Sequence, residues 1–167
     1  KSIRGSDVDA AIFYLARLLE NGDIISPSRR LLVIACEDIG LAYPEAITIV
    51  EACVRAAERL GMPEAAKPLT HATMLLALAP KASTNEETYF PARDLINQGT
   101  GQVVPSHLRN ACSPGYDSPH NYPNHWTLQQ YLPDDVPRFY QPGDNQFEQT
   151  MNDYWNKVKA STRSTPQ

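Results

Sequence analysis

Apolar residues recur at helical spacing through the first eighty positions, and glycine or proline punctuates each run. Val8, Ala11, Ile12, Leu15, Leu18 and Leu19 define a first amphipathic helix. Ser6-x-x-Asp9 has the form of a capping box at its start, and Gly22 ends it, since glycine accepts left-handed backbone at low cost. Ser26-Pro27 opens a second helix, with serine as cap and proline at the first helical position. Its unbroken apolar run from Leu31 to Cys36 predicts the most buried helix, with Glu37-Asp38 marking the exit to solvent and Gly40 the stop. Pro44 opens a third. Ile47, Val50, Val54 and Ala57 form one stripe, flanked by Ala46, Ile49, Cys53 and Leu60, an apolar face broader than one packing contact needs. Pro63 opens a fourth, with Leu69, Ala72, Leu75, Leu76 and Ala79 inward and Pro80 closing it.

The pattern then loosens. A fifth helix over about 87–97 must hold Pro91 in its first turn or be kinked by it. Seven of the fourteen prolines lie within Pro105–Pro142, which predicts an irregular arm, with 126–132 the one stretch that could be extended. A final helix is capped by Asp144 and carries Phe147, Met151, Tyr154, Trp155 and Val158 on one face. The expected architecture is mainly all-α: one domain over 1–160, with a helical body over about 6–101, an arm over 102–143 and a last helix over 144–159. The Ser/Thr/Pro/Gln tail at 161–167 reads as disordered. The size, 167 residues, suits one such domain, and the first residue, Lys1, reads as the start of a piece of a longer protein.

Charge narrows the function classes. Fifteen Lys and Arg against nineteen Asp and Glu give −4, which excludes a whole-domain basic field for wrapping nucleic acid but leaves room for a local patch. Arg29-Arg30 lies in the first turn of a helix, where the dipole disfavours cations. Pairing with Glu37 or Asp23 would compensate; a carboxylate or phosphate on a partner is the alternative. Arg4, Lys81 and Arg109 complete the candidate contact set, and Lys67 is a further isolated cation. The adjacent Glu37 and Asp38 diverge by about 100° on an α-helix and do not converge as a general acid/base pair.

Other chemistry is sparse. No phosphate-binding loop, dinucleotide fingerprint, nucleophile elbow or H-E-x-x-H is present, so no catalytic residue is assigned. His107, Cys112, His120 and His125 are spaced unlike the usual zinc patterns, and no metal is expected there. Three widely separated cysteines fit a reducing, cytoplasmic setting, with Cys36 and Cys53 read as small core residues. No run approaches the length of a membrane span. Tyr116, Tyr122, Trp126, Tyr131, Phe139 and Tyr140 place many of the aromatic residues in the arm, where they can clamp it onto a helical body or a neighbouring subunit.

Several segments together carry a family resemblance. Lys1-Ser2-Ile3-Arg4-Gly5-Ser6-Asp7, then Arg29-Arg30-Leu31 with Cys36-Glu37-Asp38-Ile39-Gly40-Leu41-Ala42, Gly61-Met62-Pro63-Glu64-Ala65, Ala79-Pro80-Lys81, Val104-Pro105-x-His107-Leu108-Arg109, Pro119-His120-x-Tyr122-Pro123 and Gln129-Gln130-Tyr131-Leu132-Pro133 follow in one order. The chain thereby resembles the C-terminal domain of the AAA+ ATPase family that includes replication-associated recombination protein A and the Werner-helicase-interacting protein, relatives of clamp loaders. Tyr43 departs from that pattern, standing at a usually acidic position, and so does Asn124, at a position where glycine is common. The resemblance implies a homotetramerisation domain that is not itself an enzyme. It implies a parent protein that binds ATP and magnesium through motifs outside these residues and works with DNA and replication proteins at stalled forks. A DNA- or partner-binding module using the local cations is the second reading, and a metal-dependent hydrolase at the histidine loop a distant third.

Overall fold

A computed structural model describes residues 1–110 and 113–163 of the chain. It contains six α-helices and, among the described residues, no strand. The helices are α1 (Val8–Glu20), α2 (Ile25–Ile34), α3 (Ala46–Leu60), α4 (Ala66–Leu78), α5 (Thr84–Asn97) and α6 (Gln146–Arg163). The backbone groups into two compact units, Lys1–Glu86 with Gly143–Glu148, and Glu87–Pro142 with Gln149–Gln167. This division differs from the expected body and arm: its boundary falls inside α5, and the start of α6 joins the first unit.

In the first unit α4 is the central helix, packed by α1, α2 and α3. Leu69, Ala72, Thr73, Leu76 and Ala77 are all buried on it. The expectation that α2 would be most buried is not met. Six consecutive apolar residues encircle a helix, and only Leu31, Ile34 and Ala35 of that run are buried in the core, while Val33 and Cys36 are exposed. Cys36 is therefore not a core residue; Cys53 is half-buried, and burial raises its thiol pKa. On α3, Ala46, Val50, Val54 and Ala57 are buried. Its broad apolar face serves α4, α2 and the turn that follows α2, which leaves Ile47, Ile49 and Cys53 half-buried and Leu60 exposed.

Helix starts are set by neighbours of the residues the sequence pattern picks out. Asp7, not Ser6, caps α1, its carboxylate accepting from the Ala10 N–H at 2.9 Å. Ser6 has left-handed backbone (φ 56°) and accepts instead from Lys81 Nζ at 2.9 Å. At α2 the Asp23 carboxylate accepts from the Ser26 N–H at 2.9 Å, so Asp23 rather than Ser26 supplies the cap. Asn145, not Asp144, caps α6: its Oδ1 accepts from the Glu148 N–H at 3.0 Å, while its amide donates to Glu148 Oε2. The cap and the acid at the third helical position are thus tied reciprocally, through the asparagine side-chain amide rather than its backbone N–H. Glu148 is 1% exposed and also accepts from Thr84 Oγ1 at 2.9 Å.

α5 starts at Thr84, three residues before the expected start, and Pro91 is its eighth residue rather than part of its first turn. The early start is anchored by Thr84 at Glu148 and by Asn85, whose amide donates to the Cys36 carbonyl at 2.8 Å. α6 runs through residue 163, past the expected end near 159 and into the segment read as tail. Ser161 and Thr162 fit the last turn because both hydroxyls donate back to the Val158 carbonyl, at 2.8 and 3.0 Å. Residues 164–167 of that tail lie outside the described residues.

In the second unit, three short 3-10 turns at Ser106–Leu108, Pro119–Asn121 and Pro123–His125 interrupt irregular chain. Side chains replace the missing ladders. Asp135 Oδ2 accepts from the Gly101 N–H at 3.0 Å, and Gln129 Oε1 from the Asp117 N–H at 2.9 Å. Residues 126–132 form no strand. Asn124 sits at φ 57°, in the left-handed region that glycine occupies most easily and asparagine tolerates best among the others.

Two outcomes test these anchors. A Cβ on Gly143 would lie 2.7 Å from Glu148 Oε2 and 3.1 Å from Thr84 Oγ1, so Gly143→Ala should destabilise the chain by about 1–3 kcal/mol in urea unfolding. Hydrogen bonds from Ser26 and Ile25 hold the Asp23 carboxyl below its ordinary value. The stability this adds is fully present above the ordinary carboxylate range and lost as pH falls through the depressed folded value. Asp23→Asn should therefore flatten the acid limb of stability against pH.

Candidate functional site

α2 does not end at Ala35. The chain widens into a π-type turn, Ala35–Ile39, closed by the Gly40 N–H donating to the Ala35 carbonyl with Gly40 at φ 48°. The wider turn narrows the angle between successive side chains. Glu37 and Asp38, expected to diverge, therefore converge on one guanidinium. Arg4 donates from Nε to Asp38 Oδ1 and from Nη2 to Glu37 Oε1 at 2.8 Å. Arg30 Nη2 lies 3.4 Å from the other Glu37 oxygen. Asp38 is not at a solvent exit, as expected from the sequence; it is 8% exposed. Its hydrogen bond to Arg4, then its charge, raise the arginine pKa.

Lys81 closes the same cluster. Its ammonium donates to the Ser6 hydroxyl at 2.9 Å and to the Ala77 carbonyl at 3.1 Å, occupying the carbonyl end of α4. Partial burial lowers its pKa, and the charge of Asp38 opposes that shift. Arg4, Lys81, Glu37, Asp38 and Glu86 line a shallow cleft of about 460 Å³. With Arg30 the cluster holds three cations and three carboxylates, so it presents no net basic field.

The other candidates stand elsewhere. Arg29 is exposed and, among the described residues, forms no ion pair. Arg109, in the second unit, is exposed and donates from Nε to the Val104 carbonyl at 3.0 Å. Lys67 is exposed on α4. In the histidine loop, His107 Nε2 lies 2.8 Å from the Gln130 carbonyl oxygen, and the rings of His120 and His125 meet edge to face at 5.2 Å. Cys112 lies outside the described residues. Among those described, no group of three or more His, Cys, Asp or Glu could hold a metal ion.

The exposed apolar surfaces are more informative. On α6, Phe147, Met151, Tyr154 and Trp155 form the expected face, yet all four are exposed, Tyr154 at 49%. Val158, which continues the stripe, is buried. On α1, Tyr14 and Leu18 are exposed at the edge of an apolar cleft of about 540 Å³ that Ile3, Leu15, Leu31 and Ile34 also line. Exposure of this kind is invisible to periodicity, which reports that a stripe exists and not what covers it.

The family model described as MgsA AAA+ ATPase C terminal matches residues 5–159. The chain belongs to that family. Replication-associated recombination protein A of Bacillus subtilis strain 168 is 44% identical over 170 residues, covering 95% of this chain and 40% of the relative. The protein of the same name from Escherichia coli K12 is 37% identical over 112 residues, 66% of this chain and 25% of its own length. ATPase WRNIP1 of Dictyostelium discoideum is 34% identical over 148 residues, 81% and 17% respectively. The chain thus spans two fifths or less of the length of these relatives. In this chain the Arg4 cluster is a fastening, since Arg4 and Arg30 pair with Glu37 and Asp38. Among the described residues, no helix is long and apolar enough to cross a membrane.

If the cluster fastens the N-terminal segment to the bundle, Asp38→Asn should lower the thermal unfolding midpoint more than Glu37→Gln. Asp38 is the more buried of the two, with side-chain exposures of 8% and 23%. Equal effects in parallel melts would contradict that ranking.

Proposed function

We propose that this chain is the self-assembly domain of an AAA+ ATPase and holds copies of the longer protein together as a homotetramer. It contributes no catalytic residue. ATP and magnesium belong to the part of the longer protein outside these residues, and the assembly works in the cytoplasm on DNA in replication and recombination at stalled forks. The observation that carries this reading is the exposed apolar face of α6. Phe147, Met151, Tyr154 and Trp155 lie at helical spacing and are each 38–49% exposed, and contiguous exposed apolar surface marks interaction sites. The relatives' names, Replication-associated recombination protein A and ATPase WRNIP1, supply the process and the ATPase activity of the parent. Direct DNA contact through Arg29 and Arg109, which have no ion-pair partner among the described residues, is the second reading. A tetramer would multiply such weak contacts by avidity.

Multi-angle light scattering of the chain should give four times the monomer mass, unchanged over a tenfold dilution. A monomer at tens of micromolar overturns the reading.

A further inference from the structure

We propose that the apolar cleft along α1 seats a helix formed by the residues immediately before Lys1 in the longer protein, with Lys1–Gly5 as its last turn. The inference uses the longer protein of the reading above and is independent of its tetramer.

The backbone of the first seven residues has the form of a helix end. The Gly5 N–H donates to the Lys1 carbonyl at 3.0 Å, the four-residue step of an α-helix. The Asp7 N–H then donates to the Ser2 carbonyl, and the Ser6 N–H to the Ile3 carbonyl, both at 2.9 Å. Ser6 has left-handed backbone, at φ 56°. A six-to-one bond enclosing a five-to-two bond, with a left-handed residue just past the last helical turn, is the Schellman closure of an α-helix. Here that closure ends a single turn. The N–H groups of Ser2, Ile3 and Arg4 have no backbone acceptor among the described residues. In a helix that continues backward they donate to carbonyls four residues earlier, all of which precede Lys1.

The cleft lies along the path of that helix. Lys1, Ser2 and Ile3 line it together with α1 positions from Ala11 to Leu18. Those α1 positions span two helical turns, about 10 Å. Counting backward from Ile3, which is buried, the residues four and seven earlier recur on its side of the helix and span the same length. These are the second and fifth residues before Lys1. Both are expected to be apolar and to cover Tyr14 and Leu18, which are 55% and 40% exposed. The relatives have the chain to do this. The family model is a C-terminal one, and the match covers 40% of the Bacillus subtilis protein.

The same turn is already anchored. Arg4 belongs to it, and its guanidinium is fastened to Asp38 and Glu37. A helix seated in the cleft and pinned at its last turn makes a rigid joint between the preceding part of the protein and this bundle, where an unseated one would leave a hinge.

Hydroxyl-radical footprinting of this chain and of the longer protein tests the seat. Oxidation of Tyr14 and Leu18 should fall about fivefold in the longer protein, in proportion to the exposure lost. Leu69, fully buried, stays protected in both and reports that the bundle is folded. Ser2→Pro then identifies the cover, because a proline ring there clashes with the carbonyl four residues earlier. In the longer protein, with Leu69 still protected, it should return Tyr14 oxidation to the level of this chain. In this chain, where the Ser2 N–H has no backbone acceptor, it should leave that level unchanged. Equal oxidation of Tyr14 and Leu18 in the two proteins overturns the proposal. So does protection that survives Ser2→Pro, which assigns the cover to another segment. Protection that appears in this chain alone as its concentration rises assigns the cover to a second copy and overturns it too. A longer protein that is monomeric in light scattering yet protects Tyr14 removes the self-assembly reading and leaves the helix seat standing.

Discussion

The first unit is organised around the need of one buried carboxylate for partners. Asp38 is only 8% exposed, and an ionised group so placed is costly unless hydrogen-bonded donors and opposite charge surround it. Arg4 supplies both. The backbone of the same residue binds a third segment, its carbonyl accepting from the Ala82 N–H at 2.9 Å. One residue thus fixes the N-terminal segment, the turn after α2 and the exit of α4. Within the π-type turn both Glu37 and Asp38 reach that one guanidinium. Burial of a salt bridge is weak evidence for net stability. What the cluster supplies is position: the chain can enter and leave this bundle by one route.

Glu148 repeats the logic at the other end of the chain. It is buried more completely than Asp38 and is held by Thr84 at the start of α5 and by Asn145 at the start of α6. Two helix starts distant in sequence are tied to one carboxylate. Gly143 stands where a side chain would collide with that arrangement, so its lack of a Cβ is a packing requirement rather than a demand for unusual dihedrals. Both acids lie at points where irregular backbone meets helix, and there hydrogen bonding decides the path more than apolar burial does.

These two acids also mark what the sequence could and could not reveal. The regular helices were legible, because Leu15 and Leu19, Val50 and Val54, or Leu69 and Leu76 recur at the period of a helix against a core. The caps were legible only to within a residue or a few. Ser6 and Asp7, or Asp144 and Asn145, are adjacent capable acceptors, and the choice depends on tertiary partners such as Lys81 for Ser6. The turn after α2 was not legible, since no periodicity distinguishes a π-type turn from a helix ending at Glu37-Asp38. Of the candidate cations, the pairing of Arg30 with Glu37 was open to charge reasoning. The meeting of Arg4 and Lys81 at one cleft beside those acids, from distant parts of the sequence, required the fold.

The same distinction relocates the argument for assembly. Breadth of apolar surface on α3 looked like surplus available to a second subunit, but α4, α2 and the π-type turn use most of it and leave Leu60 exposed. On α6 the residues that share one face by spacing include Met151, Tyr154 and Trp155, and these are exposed. A helix face counts toward an interface by what its own chain leaves uncovered, not by how apolar it is. On that measure the exposed stripe on α6 is the stronger candidate, and α3 offers chiefly Leu60.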